Sequence, residues 1–201
     1  MGKIEEKKKE KKKALLASAF RLFTEKGVDN TSVSEIVKDA NIAKGTFYLY
    51  FKDKYEIHNY LIAYHANLIF EEANEVLNHQ VLEKVFDSVE DAVIFLAENI
   101  IDQLGANLSL MKFISKNLSW GVFSKIRIMD YDNRNCMDIF DSLLQAFSGE
   151  YRQKELMIYM IVELINATCY NVLLYQEPVS LNELKPELFT AIRNLLKQFE
   201  E

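Results

Sequence analysis

The sequence has few of the residues that interrupt helices, since its 201 residues include only six glycines and two prolines. Stretches that alternate apolar and polar residues, as half-buried strands do, are also scarce. Leucine, isoleucine, lysine and glutamate instead recur at helical spacing. A hydrophobic content of 49% is enough to bury a sizeable core. We therefore predict an all-α protein of about nine helices.

The chain also lacks the patterns of common catalytic and cofactor sites, because HExxH, GxSxG, P-loop and GxGxxG motifs are all missing from it. Cys136 and Cys169 lie far apart without a CxxC spacing, which favours reduced thiols packed in a core. His58 and His65 could form half a metal site on one helix face, but no cysteine lies at ligand spacing. We expect no enzyme activity, no metal and no cofactor.

No secretory leader is predicted, because the N-terminus carries charge without an apolar h-region. Residues 156–175 match a membrane-spanning helix in length, but Glu163, Asn166, Thr168 and Asn171 interrupt their apolar character. A charge in the middle of a bilayer costs about 2.5–3.5 kcal/mol on insertion scales. We therefore predict a helix buried on most of its sides, no membrane span and a cytoplasmic protein.

The net charge of −6 conceals two unlike parts of the chain. Residues 1–55 hold 13 Lys and Arg against 8 Asp and Glu, a balance of +5, whereas residues 56–201 hold 11 against 22, a balance of −11. This distribution predicts that only the first part contacts a polyanion. The lysine-rich run at 3–13 is either the solvated start of the first helix or a basic arm that follows a phosphate backbone.

Two short helices are predicted after the first helix. Ser32 begins a capping box with a glutamate three residues later and starts a helix over 33–39. Asn41, which tolerates the left-handed conformation, ends that helix, and a second one follows at once over 43–50. Two short helices that are joined by a tight turn and packed on a longer first helix predict a helix-turn-helix. A long helix over 53–79 follows.

Residues 43–51 divide between core and surface. Phe47 and Phe51 are four residues apart, share a helix face and are expected to be buried. The other side chains form an aromatic and small-residue surface that suits the groove of DNA: Lys44, Gly45, Thr46, Tyr48, Leu49 and Tyr50. Lys54 lies in the first turn of the next helix, beside backbone amides that could hold a phosphate.

The run from Ala14 to Tyr55, and above all TSVSEIVKDANIAKGTFYLYFKDK, resembles the DNA-binding domain of the TetR (tetracycline-repressor-like) family of bacterial transcriptional regulators. The resemblance implies that Thr31 or Ser32 clamps a phosphate together with Lys54. It also implies that four residues face the major groove and that Tyr50 reaches the backbone at its edge; the four are Lys44, Gly45, Thr46 and Tyr48.

Two positions depart from the family pattern. Ala43 stands where the family often has serine, so the recognition helix is expected to lack a side-chain cap worth about 1 kcal/mol. Leu49 stands where polar or larger aromatic residues are common. Its side chain either touches a thymine methyl group or packs against its neighbours.

The family resemblance further implies two domains and a mechanism. Residues 1–52 would bind DNA, residues 53–201 would bind an effector and dimerise, and the helix 53–79 would link them. The expected protein is a homodimer on a palindromic operator, with recognition helices about 34 Å apart. It would be a repressor that a small-molecule inducer releases from double-stranded DNA, with activation left open as the alternative.

Five further helices are predicted near 87–103, 106–118, 120–147 (interrupted near 130–133), 151–176 and 182–200. The last two carry more apolar surface than a monomer's core should need, which indicates a four-helix bundle between two chains. The alternative is two ordinary core helices of a monomer. The expected dimer contacts are Tyr159, Leu173, Leu184, Leu188, Ile192 and Leu195.

Candidate effector-pocket residues are aromatic or polar groups on the middle helices: Tyr64, Phe95, Phe113, Asn117, Trp120 and Tyr170. Each could also be an ordinary core residue. Abundant aromatic residues with few buried charges suit an apolar or flat aromatic effector better than a sugar phosphate.

The competing classes of function are an enzyme and a structural or protein-binding helical bundle. The bundle would explain the C-terminal helices but leave the surface from Lys44 to Tyr50 without a use.

Overall fold

The computed structural model describes residues 3–82, 86–115, 117–118, 120–125, 136–147 and 149–201. These residues form ten α-helices and no strand, so the all-α prediction is confirmed. The helices are α1 Lys3–Lys26, α2 Val33–Asp39, α3 Lys44–Phe47, α4 Lys54–Leu82, α5 Val89–Ala106, α6 Leu108–Ser115, α7 Trp120–Lys125, α8 Cys136–Ala146, α9 Lys154–Tyr175 and α10 Leu181–Phe199.

Two helices differ from their predicted extents. The single helix expected over 120–147 is replaced in the described residues by α7 and α8, and the interruption expected near 130–133 lies outside those residues. The recognition helix ends at Phe47 rather than at residue 50. Its chain continues as a turn, because the Leu49 amide donates to the Thr46 carbonyl, three residues back, at 3.2 Å.

The chain divides into two compact units within α4, Met1–Ile62 and Ala63–Glu201, whereas the predicted boundary lay between residues 52 and 53. The first unit comprises α1 to α3 and the first turns of α4. The two turns of the first unit lie where the sequence predicted them. Gly27 ends α1 at φ +82°, and Asn41 follows α2 at φ 52°. Both residues adopt the left-handed conformation that reverses the chain without a long loop.

The second unit is a helical bundle built around α5 and α9. The C-terminal helix α10 packs on both, and α6 also packs on both. Lys185 of α10 donates to Glu98 at 3.1 Å and to Asp102 at 2.7 Å, which joins α10 to α5. Cys136 and Cys169 are buried free thiols, as predicted, and burial raises the pKa of Cys169 to about 11.

The apolar helix α9 is less buried than predicted. Among the described helices it alone is long and apolar enough to cross a membrane, with a mean hydropathy of 1.5 over its most apolar window. Only 28% of that window is buried. The prediction of a helix buried on most of its sides is therefore wrong for the single chain, because one face of α9 lies outside the bundle.

Candidate nucleic-acid interface and effector cavity

The first unit presents an exposed surface on α3 and the turn after it. Phe47 and Phe51 are buried as predicted, with ring centroids 5.9 Å apart, and they anchor this segment to the core. Tyr48 and Leu49 point outward and are 53% and 80% exposed. We define the recognition surface as Lys44, Gly45, Thr46, Tyr48, Leu49 and Tyr50.

The recognition surface is held in place by polar contacts within the first unit. The Lys44 ammonium donates to the Ser34 hydroxyl at 3.3 Å, and the Tyr50 hydroxyl donates to the Lys8 carbonyl at 3.1 Å. No side chain caps α3 at Ala43, as the sequence predicted. No atom lies within 4 Å of the position that a Cβ atom would take at Gly45. A partner molecule can therefore approach the backbone closely there.

Two residues expected to clamp phosphates are instead engaged inside the first unit. Thr31 is 2% exposed, and its hydroxyl donates to the Gly27 carbonyl at 2.8 Å. The Lys54 ammonium donates to the carbonyls of Val28, Asp29 and Thr31 at 2.9, 3.0 and 3.1 Å. An ammonium has three donors, so all of them are used. Burial rules out Thr31 as a phosphate contact, and both side chains hold the turn between α1 and α2. Phosphate binding by Lys54 stays a prediction.

Ser32 caps α2 as predicted. Its hydroxyl accepts from the Glu35 amide at 3.2 Å, and its own amide donates to the Glu35 carboxylate at 2.8 Å. Lys26 also donates to this carboxylate, and the bonds from Lys26 and then Ser32 lower the pKa of Glu35 to about 2. Ser32 remains exposed, and its contact with phosphate stays a prediction.

The role of Lys54 can be tested by its removal. Lys54→Gln should lower the free energy of unfolding by about 1.5–3 kcal/mol, because a charged donor to half-buried carbonyls is lost. Urea denaturation measures the change, and Lys52→Gln, at an exposed lysine two residues earlier, is the matched control. Equal unfolding midpoints for the two variants, with DNA affinity lost only in Lys54→Gln, would show that Lys54 binds phosphate instead.

The second unit contains an apolar cavity of about 60 Å³. Residues of α4, α5, α6, α8 and α9 contribute to its lining, among them Ala66, Phe70, Ala97, Ile100, Ile161 and Asn166. The Asn166 amide already donates to the Ser115 carbonyl at 3.2 Å. The cavity is therefore suited to apolar groups and offers few polar contacts.

None of the six residues predicted for the effector pocket lines this cavity: Tyr64, Phe95, Phe113, Asn117, Trp120 and Tyr170. Their side chains are used elsewhere. Trp120 stacks on Phe123 at 5.6 Å between centroids, and the Asn117 amide donates to the Phe113 carbonyl at 2.9 Å. This cavity lies among aliphatic residues, two phenylalanines and the small residues Ala66 and Ala97, and the six predicted positions stay a prediction.

The outer face of α9 carries exposed apolar side chains at Leu156, Tyr159 and Met160. Of the predicted dimer contacts, only Tyr159 is exposed in this way, while Leu173, Leu184 and Leu195 are half-buried. Leu188 and Ile192 are fully buried, so their prediction as dimer contacts is corrected. The apolar seam of α10 packs on α9 and α5 of its own chain.

Comparison with protein families identifies the first unit. Residues 15–61 match the model described as bacterial regulatory proteins of the tetR family. That stretch runs from α1 through the recognition surface into α4. This segment of the chain is similar to that family of bacterial regulatory proteins.

The relatives that match part of this chain are helix-turn-helix transcriptional regulators. YuxN of Bacillus subtilis is 50% identical over 46 residues, which cover 23% of the chain and 16% of the relative. YerO of the same organism is 33% identical over 109 residues, which cover 47% of the chain and 38% of the relative. The chain thus spans well under half of the length of these relatives, and the likeness is centred on the helix-turn-helix region.

Solved structures show that the likeness in fold extends over almost the whole chain. A tetR-family regulator from Shewanella sp. PV-4 has a TM-score of 0.63 at 18% identity, covering 95% of this chain and 98% of that one. FadR from Bacillus subtilis, solved in complex with stearoyl-CoA, has a TM-score of 0.59 at 19% identity, covering 89% of this chain and 96% of that one. At these identities the comparison establishes the fold alone.

Proposed function

We propose that this protein is a transcriptional repressor that binds a palindromic DNA operator as a homodimer in the cytoplasm and is released by an apolar small molecule. The observation that carries the proposal is the recognition surface, where two large side chains, Tyr48 and Leu49, are held in water by buried Phe47 and Phe51. DNA binding would explain this exposure, because the groove of DNA would cover both side chains.

Each part of the recognition surface suits a different contact with DNA. The open backbone at Gly45 allows close approach, and the hydroxyls of Thr46 and Tyr48 can bond base edges or phosphates. Leu49 is 80% exposed, and we expect its apolar side chain to touch a thymine methyl group. If Leu49→Ala leaves every base-pair preference unchanged in a binding selection, this contact with thymine does not exist.

Base-specific contacts of Tyr48 can be tested. The wild-type protein is first used to select a duplex from a random-sequence pool. Tyr48→Ala should weaken binding to that duplex by about 10- to 100-fold, because a good base contact is worth about 1–3 kcal/mol of discrimination. The loss on a scrambled duplex should be smaller. Electrophoretic mobility shifts measure both affinities.

Tyr55→Ala is the matched control, since Tyr55 is exposed to the same degree, 52%, but lies outside the recognition surface. Equal losses for the two variants on both duplexes would contradict base reading by Tyr48. A wild-type protein that shifts no duplex at any salt concentration would overturn DNA binding altogether and favour an enzyme or a structural bundle.

The homodimer is proposed through α9. Its outer face is apolar and exposed, and a second copy of the same face would cover it in a two-fold arrangement. The dimer would place two recognition surfaces one helical turn of DNA apart, about 34 Å. This geometry is what a palindromic operator requires.

The effector is proposed to be an apolar molecule, such as a fatty acyl chain or a flat aromatic compound, that enters the cavity near Ala97. The apolar lining supports this chemistry. The similar fold of FadR, solved with stearoyl-CoA, supports an acyl chain as the first ligand to test. The effector can release DNA only by preferring a conformation that binds DNA poorly, and α4 runs from one unit into the other.

A further inference from the structure

A second surface with DNA-binding chemistry lies beside the recognition surface in the first unit. The N-terminal part of α1 and the turn after α3 form a groove, which we call the lysine groove. It is lined by Lys7, Lys8, Lys11, Thr46, Leu49 and Tyr50. Three lysines on one side and half of the recognition surface on the other thus share one concave space.

The N-terminal part of α1 is held beside the recognition surface by two long-range contacts. The Tyr50 hydroxyl donates to the Lys8 carbonyl at 3.1 Å. The Lys12 ammonium donates to the Tyr60 hydroxyl at 2.9 Å and lies 4.2 Å from the centroid of that ring. These contacts hold this part of α1 against the fold, whereas the charge run alone favours a frayed, solvated helix start.

The lysines are distributed unevenly around α1. Lys7 and Lys11 are four residues apart and lie on the face that lines the lysine groove, with Lys8 beside them. Lys9 and Lys13 have the same spacing but lie about half a turn away around the helix, since successive residues are rotated by about 100°. The two pairs carry equal charge on opposite faces.

We propose that the lysine groove binds the phosphate backbone of the same duplex whose bases the recognition surface reads. Lysine ammonium groups are mobile point charges that suit phosphates and carry little sequence information. The groove shares Thr46, Leu49 and Tyr50 with the recognition surface, so one duplex can occupy both. This inference rests on the proposed DNA-binding function and adds a sequence-independent share of the affinity.

The test compares Lys7→Gln/Lys11→Gln with the matched control Lys9→Gln/Lys13→Gln. Both variants remove two charges from the same helix, and glutamine has a helix propensity similar to that of lysine. Affinity for the wild-type-selected duplex and for a scrambled duplex is measured across salt concentrations. The groove variant should lose affinity for both duplexes by the same factor. The slope of log affinity against log salt should become shallower by about 1 to 2, because each lost phosphate contact contributes about 0.9.

The control should keep a slope close to that of the wild-type protein. Equal slopes for the two variants would overturn the lysine groove, since the charge would then act without regard to its position on the helix. An unchanged slope in the groove variant would overturn it as well. If the wild-type protein binds neither duplex at any salt concentration, the proposed function itself fails, which is a distinguishable result. Circular dichroism confirms that both variants retain their helices.

Discussion

Met160→Glu is expected to convert the protein from a dimer to a monomer and to weaken operator binding by at least about 100-fold. Met160 is 37% exposed on the outer face of α9. In the proposed dimer this face is covered by the same face of the second copy. The interface would therefore bury two new carboxylates, one from each chain. An uncompensated buried charge costs about 3–5 kcal/mol, and 100-fold corresponds to about 2.7 kcal/mol.

Loss of the dimer should also reduce DNA binding, because the two half-sites would no longer be bound by linked recognition surfaces. Sedimentation velocity at micromolar concentration gives the oligomeric state, and mobility shifts give the operator affinity. Leu108→Glu is the matched control: Leu108 is 44% exposed in the same unit but lies at the start of α6 and is not part of the exposed face of α9. Its dimer should persist.

A dimeric Met160→Glu protein would contradict the α9 interface. A wild-type protein that is monomeric, or that partitions into membranes, would contradict it too. Membrane partitioning is the competing outcome because α9 has the length and composition of a spanning helix. The half-buried hydrogen bond from the Asn166 amide to the Ser115 carbonyl argues for packing within the bundle of the folded protein.

Ala97→Leu is expected to weaken effector binding by about 10-fold or more while operator affinity stays unchanged. Ala97 is buried and lines the apolar cavity, so the longer side chain would occupy space that the effector needs. Overpacking costs about 1–3 kcal/mol, and tenfold in affinity is 1.4 kcal/mol. The probes are a long-chain fatty acid, stearoyl-CoA and a planar aromatic dye, ranked first by the thermal shift of the wild-type protein.

Ala106→Leu is the control for Ala97→Leu, because it makes the same change at an exposed position on the same helix. The probe with the largest shift is then titrated into both variants, and its release of operator DNA is followed. A full response of Ala97→Leu to that probe would show that the cavity is not the effector site. A response lost in both variants would point to damage of α5 rather than to the cavity.

Most of the first unit could be predicted from the sequence because its signals are local. The capping box of Ser32, the left-handed positions at Gly27 and Asn41, and the pair Phe47 and Phe51 each depend on residues within a few positions of one another. Such short-range chemistry places helices and turns whatever surrounds them. The helix-turn-helix and its exposed recognition residues followed from these signals and from the family resemblance.

The uses of other residues depended on partners that are distant along the chain. Lys54 was expected to bind phosphate, yet it meets carbonyls more than twenty residues earlier. Leu188 and Ile192 have the spacing of a dimer seam, but that spacing is the same for a seam that packs inside one protomer. The effector residues were sought mainly among aromatics, whereas the cavity is lined by five helices, mostly through aliphatic side chains.

The sequence by itself thus determined the helical class, the helix-turn-helix and the division of the recognition segment into buried and exposed side chains. Periodicity and caps act between near neighbours and report which face of a helix is apolar. Only the tertiary structure decided what each apolar face packs against, where packing leaves a cavity and which lysines have bonding partners. Those outcomes depend on how helices distant in sequence are brought together, and helical spacing carries no information about the identity of the partner.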